Sequence, residues 1–185
     1  MVRFIKNILD VLNVTGSSIP SQPIVIDGWV EPSTFGLVAN SRWDINGIDY
    51  YGAGTYNNIM VDTATYGADY YLHGKITSLS LLDGECHGLE LNDSIETLIF
   101  DMLDFHLIEI DFRKANNLHT MVDYPHPGYT HIIYANAGDN ADVKDMVILL
   151  ISTATMPGII HIPSDAYYYT DIATVATNYS WIIAP

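Results

Sequence analysis

The sequence is short of several things, and each shortage removes a class of protein. One cysteine, Cys86, stands among 185 residues, so no internal disulfide can form and no zinc site can be built from several thiolates. Basic residues are scarce: seven lysines and arginines face 22 aspartates and glutamates, a formal charge of −15. A phosphate backbone or an anionic lipid surface repels such a chain on average, so no nucleic-acid partner is expected. The longest strongly apolar run, Met146 to Ile151, is far below the roughly 20 residues that span a bilayer, so no membrane insertion is expected either. No export signal is expected at the start of this sequence, because Lys6, Asn7, Asp10 and Asn13 break the apolar stretch of about 7 to 15 residues that a signal peptide needs.

What is present suits a folded chain. Hydrophobic residues make up 49% and charged residues 16%, a balance that fills a core and is wrong for a disordered segment. Thirteen tyrosines stand against five phenylalanines and three tryptophans. Tyrosine combines apolar area with a polar tip, which suits a surface that meets a partner and equally suits cross-strand pairing in a β protein.

Three segments follow from the punctuation of the chain. In the first, residues 1–20, Val2, Ile5, Ile8, Leu9 and Leu12 fall on one stripe at helical spacing, which predicts a short amphipathic helix ending near Gly16. The stripe can lie on its own domain or reach a neighbouring subunit. From residue 21 to 75 the pattern changes to short strand-like runs such as Ile24 to Ile26 and Asn58 to Val61, divided by glycines. Asn46-Gly47, between Trp43 and Ile48, predicts a tight hairpin turn, since both residues tolerate positive φ. Assembly contacts are expected from Ile5, Ile8, Leu9 and Leu12 of the arm and from Trp29, Trp43, Tyr50 and Tyr51 of the glycine-rich region.

The third segment, residues 76–185, carries a near-repeat. Slid by nineteen positions, Ile76-Thr-Ser-Leu79-Ser-Leu81 lands on Ile95-Glu-Thr-Leu98-Ile-Phe100, and His87-Gly-Leu89-Glu90-Leu91 lands on His106-Leu-Ile108-Glu109-Ile110. A weaker copy starts at Asn117-Leu118, and His131 to Tyr134 forms a further strand-like block. Turns of about 20 residues with alternating apolar positions predict stacked coils with parallel strands, each hiding the apolar face of the next. With this register, His87 and His106 would stack as a ladder.

The closing stretch from Met146 to Tyr169, with Pro157-Gly158, Ile162-Pro163, Asp165-Ala166 and a late Trp181, resembles the end of BspA-like leucine-rich-repeat proteins. These occur in gut bacteria and in virion proteins of their phages. The resemblance covers roughly residues 76 to 185, closely at the C-terminus and more loosely in the unevenly spaced repeats. It implies that the apolar run before Pro157 is a strand. It also implies that a helix from about Asp165 to Ala176, capped by Ser164, seals a short β-solenoid. The expected class is therefore mainly β: a leucine-rich-repeat-like parallel β-solenoid with a helical cap, preceded by a glycine-rich β region and an N-terminal amphipathic helix.

Candidate chemistry is thin. His119, His126 and His131 lie close in sequence but lack the short spacings of a zinc site. Cys86 and His87 are adjacent, and on a strand adjacent side chains take opposite faces, which does not make a working nucleophile and base. Asp101, Asp104, Glu109 and Asp111 are acidic residues in a chain full of them. Asp139, Asn140 and Asp142, beside Gly138 and Asp145, offer oxygen ligands that calcium can use; helix capping accounts for them equally well.

No cofactor is expected, and no enzyme. The sequence points to a phage virion structural protein, decorating or stabilising a capsid or tail through contacts with copies of itself and with another virion protein. The competing expectation is a bacterial adhesin or carbohydrate-binding module, at the cell surface or secreted, that meets a host-surface glycan.

Overall fold

The computed structural model describes residues 22–28, 33–62, 65, 68–100, 105–122, 130–135 and 138–185. The arm with Ile5, Ile8, Leu9 and Leu12 lies outside the described residues, as do Trp29, Asp101, Asp104 and His126. The chain is mainly β, as expected: thirteen strands and two helices are described.

The front region is antiparallel. β1 (Ile24–Asp27) pairs with β6 (Tyr70–His73), which pairs with β3 (Trp43–Ile45), and β3 forms a hairpin with β4 (Asp49–Tyr51). Alternation drives these pairings: Ile24, Ile26, Trp43, Ile45, Tyr70 and Leu72 are buried while their neighbours face out. The hairpin turn is the predicted one. Asn46 and Gly47 hold φ of 52° and 67°, and the Ile48 amide donates to the Ile45 carbonyl at 2.9 Å, the signature of a type I′ turn. β2 (Ser33–Ala39) and β5 (Gly54–Val61) form a second antiparallel pair.

β7 (Ile76–Glu90) joins the two sheets. Its first half pairs with β2 in sheet B, and its second half pairs with β1 in sheet A. The boundary expected between residues 75 and 76 lies just before this strand, and one apolar core runs through the residues on both sides of it.

Behind β7 the pairing turns parallel, and the chain alternates between the sheets. In sheet B, β8 (Thr97–Phe100) pairs with β7, and β10 (Thr120–Val122) pairs with β8. In sheet A the order is β7, β9 (Phe105–Asp111), β11 (Ile132–Tyr134), β12 (Ile159–His161) and β13 (Ile182–Ala184). Leu89, Ile110, Ile133, Ile160 and Ile183 stand in one register column, and the first four are fully buried.

The near-repeat predicts one register and misplaces the other. Leu79 pairs with Leu98 at the nineteen-residue offset, but Leu89 pairs with Ile110 and Glu85 with His106. The second block has slipped by two residues, so His87 and His106 do not form a ladder. A shift of two leaves every inward residue inward, which is why the sequence alone could not separate these alternatives.

The third and fourth turns replace the sheet B strand with a helix. α1 (Ala141–Thr153) buries Val143, Met146, Val147, Leu150 and Ile151 at helical spacing, so the run Met146 to Ile151 is a helix and not the strand implied by the resemblance. α2 (Tyr169–Asn178) buries Ile172 and Ala176 and packs against α1. It starts four residues later than expected because Ala166 and Tyr169 donate to the carbonyls of Pro163 and Ala166, both at 3.0 Å, making a turn first. Its N-cap residue is Tyr168, not Ser164. The element at the open end of sheet A is strand β13, with α2 in the layer behind it.

Asparagines fasten the corners between turns. Asn92 is 1% exposed; its Nδ2 donates to the Gln22 carbonyl at 3.0 Å, and its Oδ1 accepts from the Ser94 amide and hydroxyl. Asn117 donates to the Asp93 carbonyl at 2.5 Å. Asn140 caps α1 by accepting from the Asp142 and Val143 amides, while its Nδ2 shares two protons among the carbonyls of Ala115, Asn116 and Leu118 at 3.3, 3.0 and 2.9 Å. Corner carbonyls left without a ladder partner are thereby satisfied by the next turn.

Candidate interaction face

The outer face of sheet A is the broadest feature that these elements build. Alternation fixes its composition: with Ile26, Leu89, Ile110, Ile133 and Ile160 inward, the residues beside them point out. Register then sets two rows. One runs Asp27, Gly88, Glu109, Ile132, Ile159, Ile182, and the other runs Val25, Glu90, Asp111, Tyr134, His161, Ala184.

Acidic groups gather at the front of this face. Burial holds the Glu109 carboxyl above its ordinary value, helped by the negative charges of Asp111, Asp27 and Glu90. Asp27 is raised as well, first by a side-chain hydrogen bond with Asp69 and then by burial. Asp69 also accepts from the Gly28 amide at 3.2 Å. Asp111, 7% exposed, has a cation of its own: Arg113 grips it through Nε at 3.0 and 2.9 Å and Nη2 at 2.5 Å. That guanidinium lies 4.6 Å from the centre of the Tyr134 ring, and Tyr134 stacks on His161 with centroids 4.5 Å apart and planes at 10°. Arg113, from the turn after β9, thus forms a stacked rung with Tyr134 of β11 and His161 of β12.

Toward the open end the face becomes apolar. Ile132 and Ile159 are half-buried and Ile182 is 63% exposed. At the other side, beyond β1, Tyr71 is 41% exposed, and His73 pairs with Asp44 at 2.9 Å.

The residues singled out in the sequence distribute as follows. Trp43 is not an interface residue: it is 1% exposed, stacked on Tyr51 with centroids 4.4 Å apart and edge-on to Tyr56 at 5.3 Å. A hairpin strand buried on its inner face gives the indole to the core. Tyr51 is half-buried within that cluster, and the Tyr50 side chain lies outside the described residues. Cys86 is buried and His87 exposed; because Leu89 is buried too, the alternation of β7 breaks between Cys86 and Leu89. Asn140 is committed to the cap and corner bonds above. Asp142 sits in the first turn of α1, and Asp139 accepts at its carbonyl from the Tyr168 hydroxyl at 3.2 Å. His119 bonds Thr120 at 2.9 Å and is exposed, whereas His131 is half-buried. Among the described residues no group of three His, Cys, Asp or Glu side chains is disposed to hold a metal ion.

Sequence reasoning missed the acidic front of sheet A. Asp27, Glu90 and Glu109 come from three strands far apart in the chain, and only alternation next to buried isoleucines and leucines marks them as sharing a face. A separate polar cleft of about 330 Å³ lies at the first corner, lined by Gln22, Asn92, Asp93, Lys114 and Asn116, with Lys114 bonded to the Gln22 side chain. Among the described residues no helix is long and apolar enough to cross a membrane. No protein-family model, no curated protein and no solved structure matches this chain.

Proposed function

We propose that this protein is a non-enzymatic assembly component, a phage virion structural protein of capsid or tail, which works by protein–protein contact through the outer face of sheet A. The observation that carries this reading is the continuity of that face. Six strands contribute to two unbroken outward rows, with a charged front and an apolar end. Partner-binding surfaces combine those features, and a standard interface covers about 800 Å² on each side. The parallel column Leu89, Ile110, Ile133, Ile160, Ile183 and the corner asparagines support reading residues 76 to 185 as a short leucine-rich-repeat-like coil of the BspA type. In that reading α2 and β13 form its closing segment.

The test is direct. An antibody against the chain should decorate purified phage particles at capsid or tail, and amides of β9, β11 and β12 should exchange more slowly in the particle than in the isolated protein. Absence from particles refutes the virion assignment, and unchanged exchange on this face refutes the face.

One observation favours the second reading, a surface adhesin or carbohydrate-binding module. The corner cleft presents carboxamide, carboxylate and ammonium groups, the chemistry that hydrogen-bonds sugar hydroxyls. Specific glycan-array binding that disappears in Asp93→Ala and Lys114→Ala would move the assignment there.

A further inference from the structure

The outer face of sheet A has one gap in its cover of side chains. In the row that starts with Asp27, the next position is Gly88 and the one after it Glu109. A Cβ placed on Gly88 would stand 3.6 Å from the Asp27 Cβ, 3.8 Å from its Oδ2 and 4.0 Å from the Glu109 Cβ. Gly88 is itself buried, so Asp27 and Glu109 flank a position that carries no side chain between their carboxyls.

Among the described residues neither Asp27 nor Glu109 has an ion-pair partner. Among the described residues the ion pairs are His73–Asp44, Arg113–Asp111 and Lys144–Asp145, and only the exposed His87 offers Asp27 and Glu109 opposing charge. Like charges crowded on a half-buried face repel one another, and a cation from outside relieves that repulsion. The same row continues over Ile132 and Ile159 to Ile182. Strands lie about 4.8 Å apart, so Gly88 to Ile182 spans roughly 19 Å, the length of about 13 residues of α-helix.

We propose that this face receives a basic, amphipathic segment of a partner protein, whose lysine or arginine pairs with the carboxyls of Asp27 and Glu109 on either side of Gly88 while its apolar residues cover Ile132, Ile159 and Ile182. The inference rests on the reading that this face is the contact surface, and it adds the chemistry of the occupant. A second copy of the chain is the poorer occupant, since each copy carries −15 and only seven basic residues. Charge complementarity selects a partner of the opposite sign.

The test uses the full-length protein and two synthetic 18-residue amphipathic helices, identical except that the polar face is arginine and lysine in one and glutamate in the other. Calorimetry at 50 and 300 mM salt, with hydrogen exchange to map the contact, reads the result. The basic peptide should bind, slow exchange in β9, β11 and β12, and weaken as salt rises; the acidic twin should not bind. Asp27→Asn combined with Glu109→Gln removes the two carboxylates with little change of shape, and the variant should bind about tenfold more weakly, as should Ile159→Asp. Failure of the basic peptide to bind, equal binding of both peptides, or unchanged affinity in the Asp27→Asn, Glu109→Gln variant overturns the proposal. If exchange still maps to this face but charge does not matter, the cationic occupant is wrong and the face reading survives. Protection confined to the helices or sheet B, or self-association that Ile159→Asp dissolves, removes the basic partner from this face.

Discussion

The antiparallel front and the parallel rear of this molecule solve one problem in different ways. In the front, short strands meet through turns and a bulge: Asn46-Gly47 closes the β3–β4 hairpin, and the β2–β5 register shifts between Phe35 and Leu37. Large rings fill the space between strands, with Trp43, Tyr51 and Tyr56 in mutual contact. In the rear no tight hairpin is available, because parallel strands need a crossover between them. There the core is a column of medium-sized aliphatics, and side chains at the corners bind each turn to its neighbour. Local geometry sets the front, whereas nearest-neighbour stacking sets the rear. β7 belongs to both.

That sharing gives the strongest way to break the comparison. Trp43→Ala removes the largest fully buried side chain of the front and should cost about 3–5 kcal/mol. Because β7 is common to both regions, chemical denaturation should still show one transition, displaced to lower denaturant. Two separated transitions would show that front and rear fold as independent units.

Next in size is a change at the start of β12. A Cβ on Gly158 would lie 2.1 Å from the His131 carbonyl oxygen, a backbone atom that cannot step aside without moving the adjacent turn. Gly158→Ala should destabilise by about 3 kcal/mol through overpacking, with exchange accelerated mainly in β11, β12 and β13. Faster exchange spread evenly over the front strands would contradict nearest-neighbour stacking.

The corner asparagines allow a finer test. Asn140→Ala deletes a helix cap and a donor shared among three carbonyls, and it should cost about 1–2 kcal/mol in a thermal melt. Asn140→Asp keeps the capping oxygen and loses the donor, so it should recover only the helix-capping part.

The smallest effect concerns charge. Glu109 has a folded pKa above its ordinary 4.5, so the folded chain holds this proton more tightly than the unfolded one. Its stabilising contribution is full below the ordinary value and is lost as pH rises through the raised one. Glu109→Gln should therefore flatten the pH dependence of stability just above pH 4.5 and leave the protein more stable at pH 7 by a few tenths of a kcal/mol. A variant less stable than the parent at pH 7 would show that Glu109 is better compensated than its neighbours suggest.

Much of this architecture could be read from local pattern. The strands around Ile24 and Asn58, the Asn46-Gly47 turn and the Leu79–Leu98 pairing follow from alternation and from residues that accept positive φ. The helix cap at Asn140 was one of two readings of the acidic cluster. Trp43 was misread because exposure of one ring depends on which face of a three-residue strand meets the core. Met146 to Ile151 was misread because a short apolar run fits either a buried strand or a buried helix.

The sequence by itself determined that the chain is mainly β, that its surface is negative, and which residues alternate inward along each strand, because these are properties of composition and of neighbours one to four positions apart. Only the tertiary structure decided the β9 register, the helix in place of a further sheet B strand after β10, and the meeting of Asp27, Gly88 and Glu109 on one face. Each depends on contacts between segments distant in the chain, and a period of two is unchanged when a strand slides by two residues, so the pattern that marks a strand carries no record of its partner.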